Sequence, residues 1–177
     1  MRPLGWVLGA VLVASVVAAT AFVIANGGPN AVPSHSQPAV SPDTVILPES
    51  QTNTLLAQCS RSSPHADAPW SPPPAEIRRL ETELPAALAP EVVNEPHLAK
   101  APTGWRRQYV GFLKHGRHMI YGNYFKAWGE NDLDWRSQAM MVCDGGPSFF
   151  GVEYDADAHR IVHIAFNGGP PVVNGAV

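Results

Sequence analysis

The chain has 177 residues, enough for one domain of ordinary size. Its formal net charge is -3 at pH 7, which argues against a dedicated nucleic-acid-binding protein, because such proteins carry a surplus of basic residues. Ten of its 18 prolines lie between Pro29 and Pro74. This uneven composition divides the chain into regions.

Residues 1–25 are typical of an export signal. An uncharged apolar run from residue 3 to residue 25 follows Arg2, and roughly 20 apolar residues span the hydrocarbon of a bilayer. Two interpretations remain open: a signal peptide cleaved after Ala21, or an uncleaved anchor, which the length of the run favours. Both predict an extracytoplasmic protein, because Arg2 favours a cytoplasmic N-terminus. It would be anchored in the inner membrane with its domain in the periplasm, or secreted.

Residues 26–74 are rich in Pro, Ser, Ala, Asn and Gln. Proline removes backbone donors and fixes φ, so this composition predicts an extended, largely disordered linker. Two apolar stretches within it, Val45–Leu47 and Leu55–Leu56, are the parts that would dock on a folded domain.

The folded domain is predicted over residues 75–170, followed by a tail at 171–177. It opens with a helix at Pro74, since proline suits the first turn. One apolar face then recurs at helical spacing: Ile77, Leu80, Leu84 and Leu88. Pro85 predicts a kink there, or an end near Glu83.

Five strands are predicted after the helix, because aromatic and apolar runs alternate with glycine-rich turns: Trp105–Leu113, His118–Phe125, Arg136–Cys143, Ser148–Tyr154 and Arg160–Phe166. Short consecutive strands imply antiparallel pairing. The expected fold class is α+β, with one helix packed on a curled antiparallel sheet of four to five strands, an order that resembles the cystatin-like arrangement.

Cys59 and Cys143 are the two cysteines of the chain. An even number in an exported protein predicts a disulfide. It would close a loop of 84 residues, and such closure contributes on the order of 4 kcal/mol by the chain-entropy model. The alternative is a buried free Cys143 with Cys59 loose in the linker.

Asp144 and Glu153 are the candidate catalytic residues. Two carboxylates that converge in a cleft are the basis of acid–base hydrolysis, and Arg107 or His163 would assist. The competing interpretation is that Asp144 caps a turn, as Asp before Gly commonly does, while Glu153 pairs with an arginine.

His159 and His163 share a strand face in the predicted fold. Strand positions four apart are separated by about 13 Å, too far for one metal ion. No metal site and no cofactor are therefore expected, and these histidines are interpreted as polar residues near a hairpin tip.

A cluster of arginines and aromatic residues on the first two predicted strands has the composition of a binding hot spot. The candidate binding residues are Arg106, Arg107, Tyr109, Arg117, His118 and Tyr121. They would suit an envelope protein or an anionic envelope polymer. The alternative is a solvated sheet face whose arginines lie over aromatic rings.

Several segments between residues 76 and 169 carry a family resemblance: Arg107–Phe112, Ile120–Asn123, Val142–Gly146, Phe150–Asp155 and Phe166–Gly168. On these segments the chain resembles a family of small, uncharacterised exported bacterial proteins. The resemblance implies a real domain and no particular activity.

The sequence lacks the Gly-x-Ser-x-Gly, phosphate-loop, His-Glu-x-x-His and Cys-x-x-Cys motifs. The leading hypothesis is therefore a non-catalytic binding module of the cell envelope that recognises a protein or a polymer. The alternative is a small hydrolase that uses Asp144 and Glu153.

Overall fold

The computed structural model describes residues 41–127 and 134–169. The predicted signal or anchor segment, the linker up to residue 40 and the tail at 171–177 lie outside the described residues. Within the described ranges, none of the helices combines the length and the hydropathy that crossing a membrane requires.

The described residues form a mixed α+β fold, which confirms the predicted class. Its helices and strands, in chain order, are β1 Thr44–Ile46, α1 Thr52–Leu56, β2 Ala68–Trp70, α2 Pro74–Val92, β3 Arg106–Lys114, β4 Arg117–Phe125, β5 Phe150–Asp155 and β6 Arg160–Phe166.

The strands form one six-stranded sheet in the order β1-β3-β4-β5-β6, with β2 also paired to β3. Strands β3 to β6 are antiparallel neighbours, whereas β1 runs parallel to β3. One row of paired residues crosses the sheet from Tyr109 through Gly122 and Val152 to Ile164. Both long hairpins, β3–β4 and β5–β6, therefore turn at the same end of the sheet.

Helix α2 covers one side of the sheet, which we call the helix face. Ile77, Leu80, Leu84 and Leu88 of α2 are buried against it. The helix runs without a break to Val92, so the predicted end near Glu83 is wrong. Pro85 and Pro90 lie on the exposed side of α2, and burial of the apolar stripe outweighs the hydrogen bonds that the two prolines remove.

The other side of the sheet, which we call the loop face, is covered by irregular chain. Side chains of β3 and β4 there pack against Leu47, Leu55 and Leu56. Much of the predicted linker is thus part of the folded body: β1 and β2 both pair with β3, and α1 packs on the loop face. The expectation that Val45–Leu47 and Leu55–Leu56 dock on the domain is confirmed. The expectation of an extended, largely disordered linker over residues 26–74 is wrong for much of the part that the structure describes, from residue 41 onwards. Its apolar residues cover a sheet face that would otherwise meet water.

The predicted strand Arg136–Cys143 is irregular chain that also lies over the loop face. Its buried side chains, Met140 and Val142, pack with Phe125. Its backbone carbonyls at Met140 and Val142 accept hydrogen bonds from the amide groups of Asn123 and Asn167. Side chains thus supply the donors that a neighbouring strand would otherwise provide, so an apolar run here does not need to be a strand.

Candidate functional site

Alternation along β3 and β4 distributes the six predicted binding residues over different surfaces. Arg107 and Tyr109 point to the helix face and are buried, whereas Tyr121 is buried on the loop face. Arg106 is half-buried, with its guanidinium carbon 5.3 Å from the centre of the Trp135 ring. Arg117 is exposed at the hairpin end. The structure therefore does not gather the predicted cluster of arginines and aromatic residues on one exposed surface, because successive residues within a strand face opposite sides of the sheet.

Arg107 belongs to a polar network beneath α2. Its Nε lies 3.1 Å from Glu81 Oε1 and donates a hydrogen bond to Thr44 Oγ1 at 2.8 Å. Tyr109 Oη donates to the same Glu81 oxygen at 2.9 Å and lies 2.8 Å from Tyr124 Oη. Burial raises the pKa values of Tyr109 and Tyr124 well above the ordinary value of a tyrosine. The network joins α2, β1 and β3, and its arginine is not available to a ligand.

Tyr121 belongs to a second network, centred on Arg61. The Arg61 guanidinium donates to Tyr121 Oη at 3.0 Å and to Asn167 Oδ1 at 2.6 Å, and it also donates to Asn123 Oδ1. Burial raises the pKa of Tyr121, and the nearby Arg61 charge partly opposes this rise. Arg61 is 9% exposed and pairs with no carboxylate in the described part of the chain. This is a buried cation held by three neutral oxygens.

The disulfide between Cys59 and Cys143 is present, with the two Cα atoms 5.5 Å apart. Both cysteines are exposed. The bond ties the segment that carries Arg61 to the irregular segment over the loop face. Asn123 and Asn167 each bond to both segments, because they accept hydrogen bonds from Arg61 and donate to the carbonyls of Met140 and Val142.

Asp144 and Glu153 bind different partners. Asp144 is exposed, has a positive φ of 61°, and accepts a hydrogen bond from Ser60 Oγ on its side chain. Glu153 is buried in the middle of β5, where its oxygens lie 2.8 Å from His163 Nδ1 and 3.4 Å from Lys114 Nζ. The two carboxylates share no hydrogen-bond or ion-pair partner in the described residues.

His159 and His163 are also separated. His159 lies 3.2 Å from Glu76 at the start of α2, whereas His163 bonds to Glu153 on the neighbouring strand. Over residues 41–127 and 134–169, no three His, Cys, Asp or Glu side chains gather closely enough to hold a metal ion.

The two hairpin turns bring exposed basic and imidazole side chains together at one end of the sheet. Asp155, at the end of β5, pairs with Arg117 of β4, and Asp157 binds both the backbone N–H and the imidazole of His118, at 2.9 and 3.1 Å. These contacts fix the two hairpins side by side. We call this surface the hairpin face, defined by Lys114, His115, Arg117, His118, His159 and Arg160.

Sequence reasoning named Arg117 and His118 as candidate binding residues and interpreted His159 as a polar residue near a hairpin tip, but it did not bring the two hairpin turns together into one surface. His115 and His159 both have positive φ, 52° and 50°, which marks them as turn residues rather than strand residues. Arg61 and Glu81 were missed altogether. Arg61 lies in a Ser- and Pro-rich stretch with no local pattern that predicts a buried arginine.

An open cavity of about 350 Å³ lies between α1 and residues 64–66, lined by Asn53, Leu56, Ala57, Pro64, His65 and Ala66. It holds no group of convergent charged side chains. The cavity therefore does not define a catalytic site.

In comparisons with known proteins, no family model, no curated protein and no solved structure matches this chain.

Proposed function

We propose that this protein is a non-catalytic, extracytoplasmic binding module of the cell envelope that recognises a protein or an anionic polymer through the hairpin face. The observation that carries the proposal is the gathering of exposed basic and imidazole side chains at one end of a sheet whose two faces are covered. Arg117 and His118 are each 50% exposed there. Arginines presented in this way suit recognition of anionic groups.

The remaining polar clusters support binding rather than catalysis. The Glu81–Arg107 and Arg61 networks are buried and bonded internally, so they act within the fold. Neither network opens onto the cavity described above. An exposed surface is therefore the part of the described structure that a partner can reach.

The proposed location has two supports. The apolar N-terminal segment is typical of export, and the Cys59–Cys143 disulfide suits an oxidising compartment outside the cytoplasm. One long helix followed by four antiparallel strands supports a cystatin-like arrangement, and the resemblance to small exported bacterial proteins is in keeping with it. Such folds host inhibitors, binding modules and enzymes, so the site carries the functional argument.

Affinity capture tests the proposal. The full chain, oxidised and solubilised in detergent, is immobilised and exposed to envelope extract from the native host, and the bound material is identified by mass spectrometry. We expect a stoichiometric partner, protein or polymer, that is lost when Arg117 and Arg160 are replaced by glutamine.

Arg78→Gln is the matched control, because Arg78 is an exposed arginine of α2 outside the hairpin face. A partner retained by the Arg117→Gln, Arg160→Gln variant would disprove the assigned surface. The absence of any stoichiometric partner would disprove the binding function.

A small hydrolase remains the second candidate, and one observation favours it. The 2.8 Å contact between Glu153 and His163 Nδ1 orients an imidazole that is 19% exposed, as a general base would require. The role proposed for Asp144 has no such support, since Asp144 bonds to Ser60. His163→Gln should abolish turnover of any substrate found, while Asp144→Asn should leave it unchanged. A variant His163→Gln with full activity would end this candidate.

A further inference from the structure

We propose that the Cys59–Cys143 disulfide is a thiol-exchange switch. A dithiol reductant opens it, and its opening releases residues 57–66 from the loop face. We call this segment the latch; it connects α1 to β2 and binds the loop face through Arg61. The switch concerns a different surface from the hairpin face and does not depend on the proposed binding function.

The disulfide is placed where a reductant can reach it. Cys59 and Cys143 are both exposed, and both lie in irregular chain rather than in a helix or a paired strand. The rate of thiol–disulfide exchange depends on access of the attacking thiolate to a sulfur atom. Exposed disulfides are therefore the ones that serve as labile or regulatory bonds, whereas buried structural disulfides resist reduction.

The chemistry is a two-electron exchange with a dithiol. One thiolate of the reductant attacks Sγ of Cys59 or Cys143, and the other cysteine leaves as a thiolate that takes a proton from solvent. The second thiol of the reductant loses its proton and attacks the mixed disulfide. The protein ends with two thiols and the reductant ends as a disulfide, so two electrons and two protons pass from the reductant to the protein.

The latch has few apolar anchors of its own. Its two buried residues are Arg61 and Pro64, so it lacks the buried leucines that hold α1 on the loop face. The open cavity of about 350 Å³ lies along the latch, with Ala57 and His65 among its lining residues. Ordering of irregular chain has to be offset by burial, so a segment with little buried apolar surface opens at a low cost in free energy.

Arg61 is the second anchor of the latch, and its burial is costly. In the part of the chain that the structure describes, no carboxylate pairs with its guanidinium, which is held by oxygens of Tyr121, Asn123 and Asn167. Removal of a cation from water carries a desolvation penalty that neutral acceptors offset incompletely. The disulfide at Cys59, two residues away, keeps this cation in place. Once the disulfide is open, hydration of Arg61 favours release of the latch.

The other irregular segment over the loop face has tethers that do not involve the disulfide. The Gln108 side-chain amide donates to the carbonyls of Trp135 and Gln138. The Asn123 amide donates to the carbonyl of Met140. We therefore expect this segment to stay on the sheet when the latch leaves, so that opening is local.

Opening changes the surface that the loop face presents to solvent. Release of the latch removes part of the wall of the cavity, and it frees the three acceptor oxygens that hold Arg61 in the closed protein. Tyr121, which is 1% exposed in the closed protein, becomes accessible. The oxidised and the reduced protein thus present different surfaces, as a regulatory device requires.

Arg61 itself reports the state of the latch, because trypsin cleaves after an arginine only when the side chain can enter its binding pocket. The full chain in mild detergent is reduced with dithiothreitol, alkylated with iodoacetamide, freed of both reagents and digested briefly with trypsin. Mass spectrometry then locates the cuts. Cleavage after Arg61 should be at least about tenfold faster than in the oxidised protein, because proteolysis follows the population of the open form.

Two controls separate local opening from unfolding and from effects of the reagents. Arg78 and Arg79 are exposed arginines of α2, and cleavage after them requires the helix to unfold, so it should stay slow after reduction. The Cys59→Ser, Cys143→Ser variant should be cleaved after Arg61 at the fast rate without any reduction.

A second measurement addresses access to the disulfide itself. Without denaturant, dithiothreitol should reduce the folded protein within about tenfold of the rate at which it reduces the urea-unfolded chain, since both sulfurs are exposed. Acid quenching and alkylation at timed intervals give both rates. A disulfide that persists until urea is added would overturn the switch.

The digestion also decides against the inference in two ways. Slow cleavage after Arg61 in the reduced protein and in the double variant would show that the latch stays closed without the disulfide. Cleavage within α2 that accelerates together with cleavage after Arg61 would show that reduction unfolds the whole domain. Either result would overturn the latch and would leave the proposed function of the hairpin face to be judged by its own capture experiment.

Discussion

The two faces of the sheet are closed in different ways. On the helix face, a single 19-residue helix buries a regular stripe of isoleucine and leucine, and its polar contacts pair a carboxylate with an arginine. On the loop face, short pieces of irregular chain supply the cover, and a disulfide and a buried arginine without a carboxylate hold them in place. In this protein the irregular cover is tied to the sheet by a disulfide and a buried arginine network, whereas the helix is held mainly by its apolar stripe with one ion pair beneath it.

The physical reason is conformational entropy. A helix satisfies its own backbone and presents side chains at fixed spacing, so burial alone orients it. Irregular chain has to be ordered residue by residue at about 1–2 kcal/mol each, and its backbone groups need partners from elsewhere. The amide side chains of Gln108, Asn123 and Asn167 supply those partners here.

Removing the disulfide should break the loop face most strongly. We expect the double variant Cys59→Ser, Cys143→Ser to lose about 4 kcal/mol in the free energy of unfolding, because the bond closes a loop of 84 residues in the unfolded chain. Urea unfolding of the oxidised protein and the variant measures this. Wild-type protein under reducing conditions is the control and should match the variant, and an unchanged midpoint would contradict the role given to the bond.

A pair of leucine truncations compares packing on the two faces. Leu80 on the helix face and Leu55 on the loop face are both 0% exposed. Each change to alanine should lower the free energy of unfolding by about 3 kcal/mol through lost burial and a residual cavity. Val93→Ala, at an 81% exposed position, should change it by less than about 0.5 kcal/mol. A Leu55→Ala effect as small as this control would show that the loop face is not packed like a core.

Arg61→Ala should destabilise the loop face by about 2 kcal/mol, because it removes a charged donor from three buried oxygens. Arg61→Lys should recover only part of this, since an ammonium does not reproduce the planar fork of a guanidinium. Urea unfolding measures both variants. Full stability of Arg61→Lys would show that the positive charge alone suffices and that the geometry of the network is unimportant.

The smallest expected effect concerns the helix face at high pH. The pKa values of Tyr109 and Tyr124 are raised by burial, so both stay neutral in the folded protein while they ionise in the unfolded chain above about pH 10. The contribution of these two tyrosines to the free energy of unfolding is therefore complete below about pH 10. It falls as the pH rises towards their pKa values in the folded protein.

Unfolding by urea at several pH values between about 9 and 11 tests this, with tyrosinate absorbance as the readout of ionisation. The double variant Tyr109→Phe, Tyr124→Phe should show a shallower loss of stability with pH. Tyr154→Phe is a comparison on the same face that removes one further tyrosine whose pKa burial also raises. If the double variant loses stability with rising pH as steeply as the unmodified protein does, the pH dependence does not come from Tyr109 and Tyr124.

Local sequence patterns determined the regular part of this protein. The stripe from Ile77 to Leu88 predicted α2, and alternation with glycine turns predicted four of the six strands within a few residues. The count of cysteines and the apolar N-terminus predicted the disulfide. These succeed because helical spacing and strand alternation are properties of neighbouring residues.

Only the tertiary structure decided what covers the loop face and which charged residues remain exposed. Nothing local distinguishes a proline-rich spacer from a segment whose Leu55 and Arg61 are buried, because the groups that bury them lie more than 50 residues away on β3, β4 and β6. Nor did the sequence separate Arg107, buried against Glu81, from Arg117, exposed on the hairpin face. Both are arginines on adjacent strands. Whether each side chain is buried or exposed depends on the side of the sheet that its position faces and on what packs against that side.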